Sequence, residues 1–254
     1  MPVFGVCGSS WMAATQNLNR LDCVDSAGKH FTEIVAKRLD YSYSTLARGA
    51  LSNSAIRLQV DEMICRRVDF VIFGSVPENR IEMPTNSGFD PKLGVYNINY
   101  GRTPDLSALD PGFVHDNTES DTLNNFFDEY GNRNKSYLEK LTDEHFDAVK
   151  YYTAYLFDPQ FRQLQDLWII ESTVLALQYA KIPYLFLPHA DWVTSRSKCL
   201  TQSDPRIVAD GRLGPYRYKN RRQGRRWHTT DSDQIKIAND VCEYIQTHDL
   251  LNWQ

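Results

Sequence analysis

Val3-Phe4-Gly5-Val6-Cys7-Gly8-Ser9-Ser10-Trp11 is the stretch on which the fold turns. A short apolar run is closed by glycine and small hydroxyl residues, the pattern of a buried strand entering a tight turn. That turn sets a serine above the carboxyl end of the strand. In an open parallel sheet, this edge is where ligands bind. A serine placed there is either a nucleophile or a turn former, and the stretch alone leaves both open.

Working outward, residues 28–39 place Phe31, Ile34, Val35 and Arg38/Leu39 at helical spacing, and 43–47 read as a second strand. Arg48-Gly49-Ala50-Leu51-Ser52-Asn53 leads into a helix over 54–67. Ile56, Val60, Met63 and Ile64 share one side of it, and Ser52 or Asn53 is the cap. Asp69-Phe70-Val71-Ile72-Phe73-Gly74 is continuously apolar after its first residue, as expected of a strand buried on both faces. From 75 to about 135 the chain turns to Asn, Asp, Pro and Gly, and an irregular insertion or lid is expected there. Helices follow at about 142–156 and 161–180. The second has Leu164, Leu167/Trp168, Val174/Leu175 and Tyr179 on its expected buried side. Residues 182–187 form a fourth strand. Residues 231–246 form a last helix, with Ile235, Ala238, Val241/Cys242 and Ile245 in period. Strands alternating with helices predict an α/β fold: a single domain over 1–254, with a central, mostly parallel sheet between two helical layers.

Composition narrows the function classes. At 254 residues with 42% hydrophobic content the chain can bury a full core, and a net charge of −4 gives no general pull toward nucleic acid or anionic membranes. The five cysteines are scattered and never spaced as Cys-x-x-Cys, which argues against a disulfide framework and a cysteine–zinc site. His115, His145 and His248 lack zinc-site spacing. No metal and no cofactor are expected. No signal peptide is visible, and the apolar segment 167–177 is interrupted by Glu171, so no membrane partner is expected.

Four loops should meet at the carboxyl edge. They hold Gly8-Ser9-Ser10, Gly49 to Asn53, Gly74 to Arg80, and Trp227-His228. Together they offer a hydroxyl, backbone N–H groups in a small-residue turn, an amide and an imidazole. Acyl transfer through serine needs that inventory: the imidazole removes the hydroxyl proton, and the donors hold the oxyanion. The competing reading of Gly8-Ser9-Ser10 is an anion loop of flavodoxin type.

The order of these blocks resembles the SGNH (GDSL-type) hydrolase family, and within it the divergent SGNH-like proteins of cyanobacterial phages. Gly8-Ser9-Ser10 stands where that family has Gly-Asp-Ser, which makes Ser10 the matching nucleophile and Ser9 the fallback. Leu46 through Asn53 resembles the second block, and there Gly49 or Ala50 would supply an oxyanion N–H, with Asn53 beside them. In the third block, Asn79 is the candidate amide donor and Arg80 its neighbour. His228-Thr229-Thr230-Asp231 resembles the family's last block, with His228 as base. The resemblance implies a three-layer, flavodoxin-like α/β/α fold. It also implies cleavage of an ester, such as an O-acetyl group on carbohydrate, or acyl transfer by the same residues. For a phage protein it implies residence in the host cytoplasm or the virion.

Arg225 stands where the family has the aspartate that orients the histidine. A Ser–His dyad, a substitute carboxylate from Asp231 or Asp233, and a site that binds without hydrolysing are the three alternatives. Thr230 and Asp233 also form a capping-box pattern, which suits a helix start. His189, after the fourth strand, is expected to line the same edge. Arg212, Arg217, Lys219, Arg221, Arg222, Arg225 and Arg226 make either a solvated loop or a rim for an anionic ester substrate. No nucleic-acid module is present, and no nucleic-acid partner is expected.

Overall fold

The computed structural model describes residues 1–9, 11–12, 30–47, 52–76, 81–84, 89–90, 95–96, 106–109, 151, 155–156, 158–201, 203–208, 213 and 231–252. Its centre is a parallel sheet of β1 (Val3–Cys7), β2 (Ser42–Thr45), β3 (Phe70–Gly74) and, numbered in chain order, β8 (Tyr184–Leu187). The spatial order is β2-β1-β3-β8. Residues 206–208 extend the sheet beyond β8: Phe186 N–H donates to the Arg206 carbonyl at 2.8 Å and Val208 N–H to the Phe186 carbonyl at 3.1 Å. Parallel strands need crossovers, and the helices α1 (Phe31–Arg38), α2 (Asn53–Cys65) and α3 (Pro159–Tyr179) supply them. A short α4 (Asp191–Arg196) follows β8, and α5 (Asp231–Thr247) precedes a last helical turn, Leu250–Asn252.

Side-chain alternation divides the core. Phe4, Val6, Phe70, Ile72, Leu185 and Leu187 point to one face and pack with Phe31 and Val35 of α1 and Ile237, Val241 and Ile245 of α5. Cys7, Val71, Phe73, Tyr184 and Phe186 point to the other and pack with Ile56, Val60 and Met63 of α2 and Ile170, Val174 and Leu177 of α3. These are the three layers of an α/β/α fold. Both faces are covered, which is why the strand sequences read as unbroken apolar runs.

The four strands of the central sheet and the helices α1, α2, α3 and α5 match the sequence expectation, but two helix faces differ. In α3, Leu167, Ile170, Val174 and Leu177 are buried, whereas Leu164, Trp168, Leu175 and Tyr179 are exposed, Tyr179 at 93%. In α5, Ile237 is buried and Ile235 is half exposed. Each helix bears more apolar residues than one face can take, and periodicity does not say which set meets the sheet. Within the stretch expected to lack regular structure, β4 (Ile81–Pro84) pairs antiparallel with β7 (Leu106–Leu109), and β5 (Phe89–Asp90) with β6 (Val95–Tyr96). The helix expected at 142–156 lies outside the described residues apart from residues 151, 155 and 156. No described helix is long and apolar enough to cross a membrane.

α1, α2 and α3 end alike. Asp40, Arg67 and Lys181 take left-handed backbone angles, with φ of 60°, 55° and 55°. The next N–H in each case reaches back five residues: Tyr41 to Ala36, Val68 to Met63, Ile182 to Leu177. This double-bonded stop satisfies the last helix carbonyls and turns the chain into the following strand.

Candidate functional site

The strand order changes direction between β1 and β3, since β2 lies to one side of β1 and β3 with β8 to the other. Loops leaving the carboxyl ends of β1 and β3 therefore diverge and open a crevice, the usual ligand position of such sheets. Cys7 is level with Phe73, and Phe73 with Phe186. Two residues further on, Ser9, Ser75 and Pro188 leave the sheet side by side.

Gly8 makes the first departure possible. Its φ is +151°, and an added Cβ would fall 2.4 Å from Met12 Cγ. Only glycine tolerates both the angle and the contact. Its N–H donates to Gln59 Oε1 at 2.7 Å, and Gln59 Nε2 donates to the Leu46 carbonyl at 2.7 Å. One buried amide side chain thus ties the ends of β1 and β2 to α2. The Ser9 carbonyl then accepts from Met12 N–H at 2.9 Å and closes the turn.

Asn53 performs a similar service for β3. Its Nδ2 donates to the Val76 carbonyl at 3.0 Å, and Val76 N–H donates to its Oδ1 at 2.9 Å. The cap of α2 is Ser52, whose Oγ accepts from Ala55 N–H at 3.3 Å. Ser75 lies between these anchors. Its Oγ accepts from the backbone N–H of His189 at 3.0 Å and stands 2.9 Å from His189 Nδ1. Trp192 of α4 meets the His189 ring edge-on, with centroids 5.7 Å apart at 75°. Burial pushes the Cys7 thiol far up, against a smaller opposing pull from Arg66, so this cysteine at the end of β1 offers no thiolate.

No family model matches the chain, and no curated protein matches it. Among solved structures it is similar to an acetyl xylan esterase from the rumen bacterium Butyrivibrio proteoclasticus, at 11% identity and a TM-score of 0.45, over 100% of this chain and 65% of that one. It is similar to a carbohydrate esterase whose active site is described as displaying divergent catalytic and non-catalytic binding functions, at 11% identity and 0.45, over 100% and 70%. A family two carbohydrate esterase from Clostridium thermocellum, in complex with cellohexaose, is similar at 12% identity and 0.35, over 100% and 65%. The chain thus spans about two thirds of the length of these proteins. Likeness at this level does not bear on the chemistry of the site.

Of the residues singled out in the sequence, Ser9, Asn53 and His189 are found at the carboxyl edge. All three are buried, at 1%, 3% and 8% exposure. Asp233 is buried in the first turn of α5, 3.9 Å from Lys236 Nζ. Asp231 is the first residue of that helix. Ser10, Gly49, Ala50, Asn79, Arg80, Arg225 and His228 lie outside the described residues. Among the described residues, no His, Cys, Asp and Glu group could hold a metal.

Two polar groupings escaped the sequence reading. The contact of Ser75 with His189 joins residues 114 positions apart, and no spacing rule reaches that far. The other surrounds His30, which caps α1: its N–H donates to Glu33 Oε2 at 3.2 Å, and Nδ1 lies 2.8 Å from Thr32 Oγ1. Thr32 Oγ1 stands 3.0 Å from the Tyr43 hydroxyl, and Phe31 N–H donates to Gln234 Oε1 at 2.8 Å. His30 followed by Glu33 is a capping-box spacing, with histidine in place of the usual serine or threonine.

Proposed function

We propose that the protein is a serine hydrolase of esters, acting on O-acetyl groups of a carbohydrate, with Ser10 as nucleophile and His228 as base. The observation that supports this reading is the concentration of buried hydroxyl, amide and imidazole side chains at the switch point of the sheet. The turn held by Gly8 leads directly into Ser10. Attack by its hydroxyl on an ester carbonyl needs a base to take the proton and donors to hold the resulting oxyanion. Backbone N–H groups of Gly49 or Ala50, with Asn79, are assigned to the second task. The substrate class rests on the motif order alone, and the basic run 212–226 would favour an anionic carbohydrate.

A second reading, a binding protein on the same fold, is favoured by Arg225, which in the motif order stands where the resembled family has an aspartate. A serine-reactive fluorophosphonate probe separates the two. The hydrolase reading expects labelling of the native chain and its loss in Ser10→Ala. Unlabelled native protein favours binding.

A further inference from the structure

We infer that the solvent face of α3 is the interface of a homodimer, in which two copies of the chain pack this helix antiparallel about a twofold axis beside Ile170. The inference is independent of the chemistry at the carboxyl edge.

α3 is apolar on two sides, and the sheet takes only one of them. The other carries Phe161, Leu164, Trp168, Ser172, Leu175 and Tyr179, all exposed, at spacings of 3, 4, 4, 3 and 4 residues. Eighteen residues over five turns is the α-helical period itself, so the row runs straight along the helix for about 27 Å. A helix that is apolar all round is a helix covered all round. The charged side chains of α3 are drawn off this row. Arg162 pairs with fully buried Asp166 at 3.2 Å, and Glu171 accepts from Ser197 Oγ at 2.6 Å. A charged partner finds no counterpart along the row, whereas a second apolar face does.

The amount of surface fits such a pairing. Phe161 and Trp168 are each 54% exposed and Tyr179 is 93% exposed. Taking roughly 200 Å² for an aromatic side chain and roughly 100 Å² for leucine, the row offers about 500 Å² of apolar surface. Apolar atoms make up ~65% of a homodimer interface, so this is the apolar share of about 800 Å² per copy, the standard size. The order of residues says which second face fits. An isologous interface must be complementary to itself. Turned end for end about Ile170, the row meets its own image: Phe161 faces Tyr179, Leu164 falls beside Leu175, and Trp168 lies over small Ser172. Parallel pairing would instead set Trp168 against its own copy and leave two serines facing each other. Since α3 runs from the carboxyl edge of β3 to the amino edge of β8, the twofold turns the two carboxyl edges to opposite ends, and neither crevice faces the other.

The test is sedimentation of the full chain, for which twice the chain mass is expected at micromolar concentration. Trp168→Glu should weaken association about 100-fold, and Tyr179→Ser about tenfold. Both side chains are exposed, so the circular dichroism of each variant should match that of the native chain, which separates loss of pairing from loss of fold. Should Trp168→Glu fold poorly, Tyr179→Ser at the helix end carries the test. Orientation is read with a nitroxide on Gln160→Cys, in a chain with Cys23, Cys65 and Cys199 replaced by serine and with Cys7 and Cys242 buried. The two labels are expected about 30 Å apart, whereas parallel pairing would bring them to about 10 Å. A native chain that stays monomeric up to the limit of its solubility overturns the inference, whether another segment of the chain or a different protein covers the row. A dimer that survives both Trp168→Glu and Tyr179→Ser overturns it as well, because its interface lies elsewhere. The short label distance overturns the antiparallel twofold.

Discussion

At the amino edge of the sheet three helices stop in the same way, whereas at the carboxyl edge each strand end is anchored differently. The amino-edge stops are made almost wholly of backbone: left-handed Asp40, Arg67 and Lys181, each followed by an N–H that reaches five residues back. Asp69 adds an acceptor for Val3 N–H at 2.7 Å, beside an open groove of about 340 Å³ that Asp69, Lys181 and Asn252 help to line. At the other edge, buried side chains make the connections. Gln59 holds Gly8, Asn53 holds Val76, and Ser75 meets His189. Repeated backbone closure suits a scaffold, because it tolerates many sequences. Individually placed buried polar groups are costly without partners, and their concentration at one edge marks where chemistry is expected.

The contrast breaks most readily at Gly8. In Gly8→Ala the new Cβ meets Met12 at 2.4 Å on a φ of +151°, and overpacking adds to backbone strain. Urea denaturation should show a loss of about 3 kcal/mol or more. Gly5→Ala is the control. There the Cβ meets the side chains of Val68 and Met63 at 3.1 and 3.2 Å, which yield more easily, so the loss should be smaller.

Asn53→Ala comes next. It strips partners from both the N–H and the carbonyl of buried Val76, and a loss of about 2 kcal/mol is expected in the same measurement. A loss below 0.5 kcal/mol, roughly the effect of an ordinary surface change, would remove the distinction between the two edges.

An intermediate effect tests the amino side at high pH. Tyr184 opens β8, and burial pushes its hydroxyl up to about 12, against smaller lowering by the Gln178 hydrogen bond and Arg206. A raised folded value means the native state holds this proton longer than the unfolded chain does. Its stabilisation is complete below about pH 10, the usual tyrosine value, and is lost as pH rises through about 12. Thermal unfolding followed across that window should show the decline, and Tyr184→Phe should flatten it. Smallest are Arg67→Gly and Lys181→Gly, which relieve left-handed strain and should each stabilise by about 0.5 kcal/mol, net of glycine's entropy in the unfolded chain.

How far the sequence could be read divides along the same line. β1, β3 and β8 were legible because both their faces are buried, so hydrophobicity alone marked them. α2 was legible with its face, since Ile56, Val60 and Met63 form one buried stripe with partly buried Ile64 beside it, and of the apolar residues only Leu58 and Cys65 lie opposite. α3 was legible as a helix but not in orientation: Leu164, Trp168 and Leu175 mimic a core stripe and lie outside. At the site, Gly8-Ser9 announced its turn through local chemistry. The cap choice between Ser52 and Asn53 stayed open because either residue type caps, and only the fold reveals that Val76 claims the amide of Asn53. Ser75 with His189 was illegible for a different reason: the pair exists only once β3 and β8 are neighbours, and sheet order is not written in any local window.

The edge-on contact of Trp192 with His189 gives the carboxyl edge its own optical signal. Indole emission responds to the charge and closeness of an adjoining imidazole. With the other four tryptophans replaced by phenylalanine, the fluorescence of Trp192 would follow proton uptake by that ring, or a ligand's arrival beside it, without any attached dye.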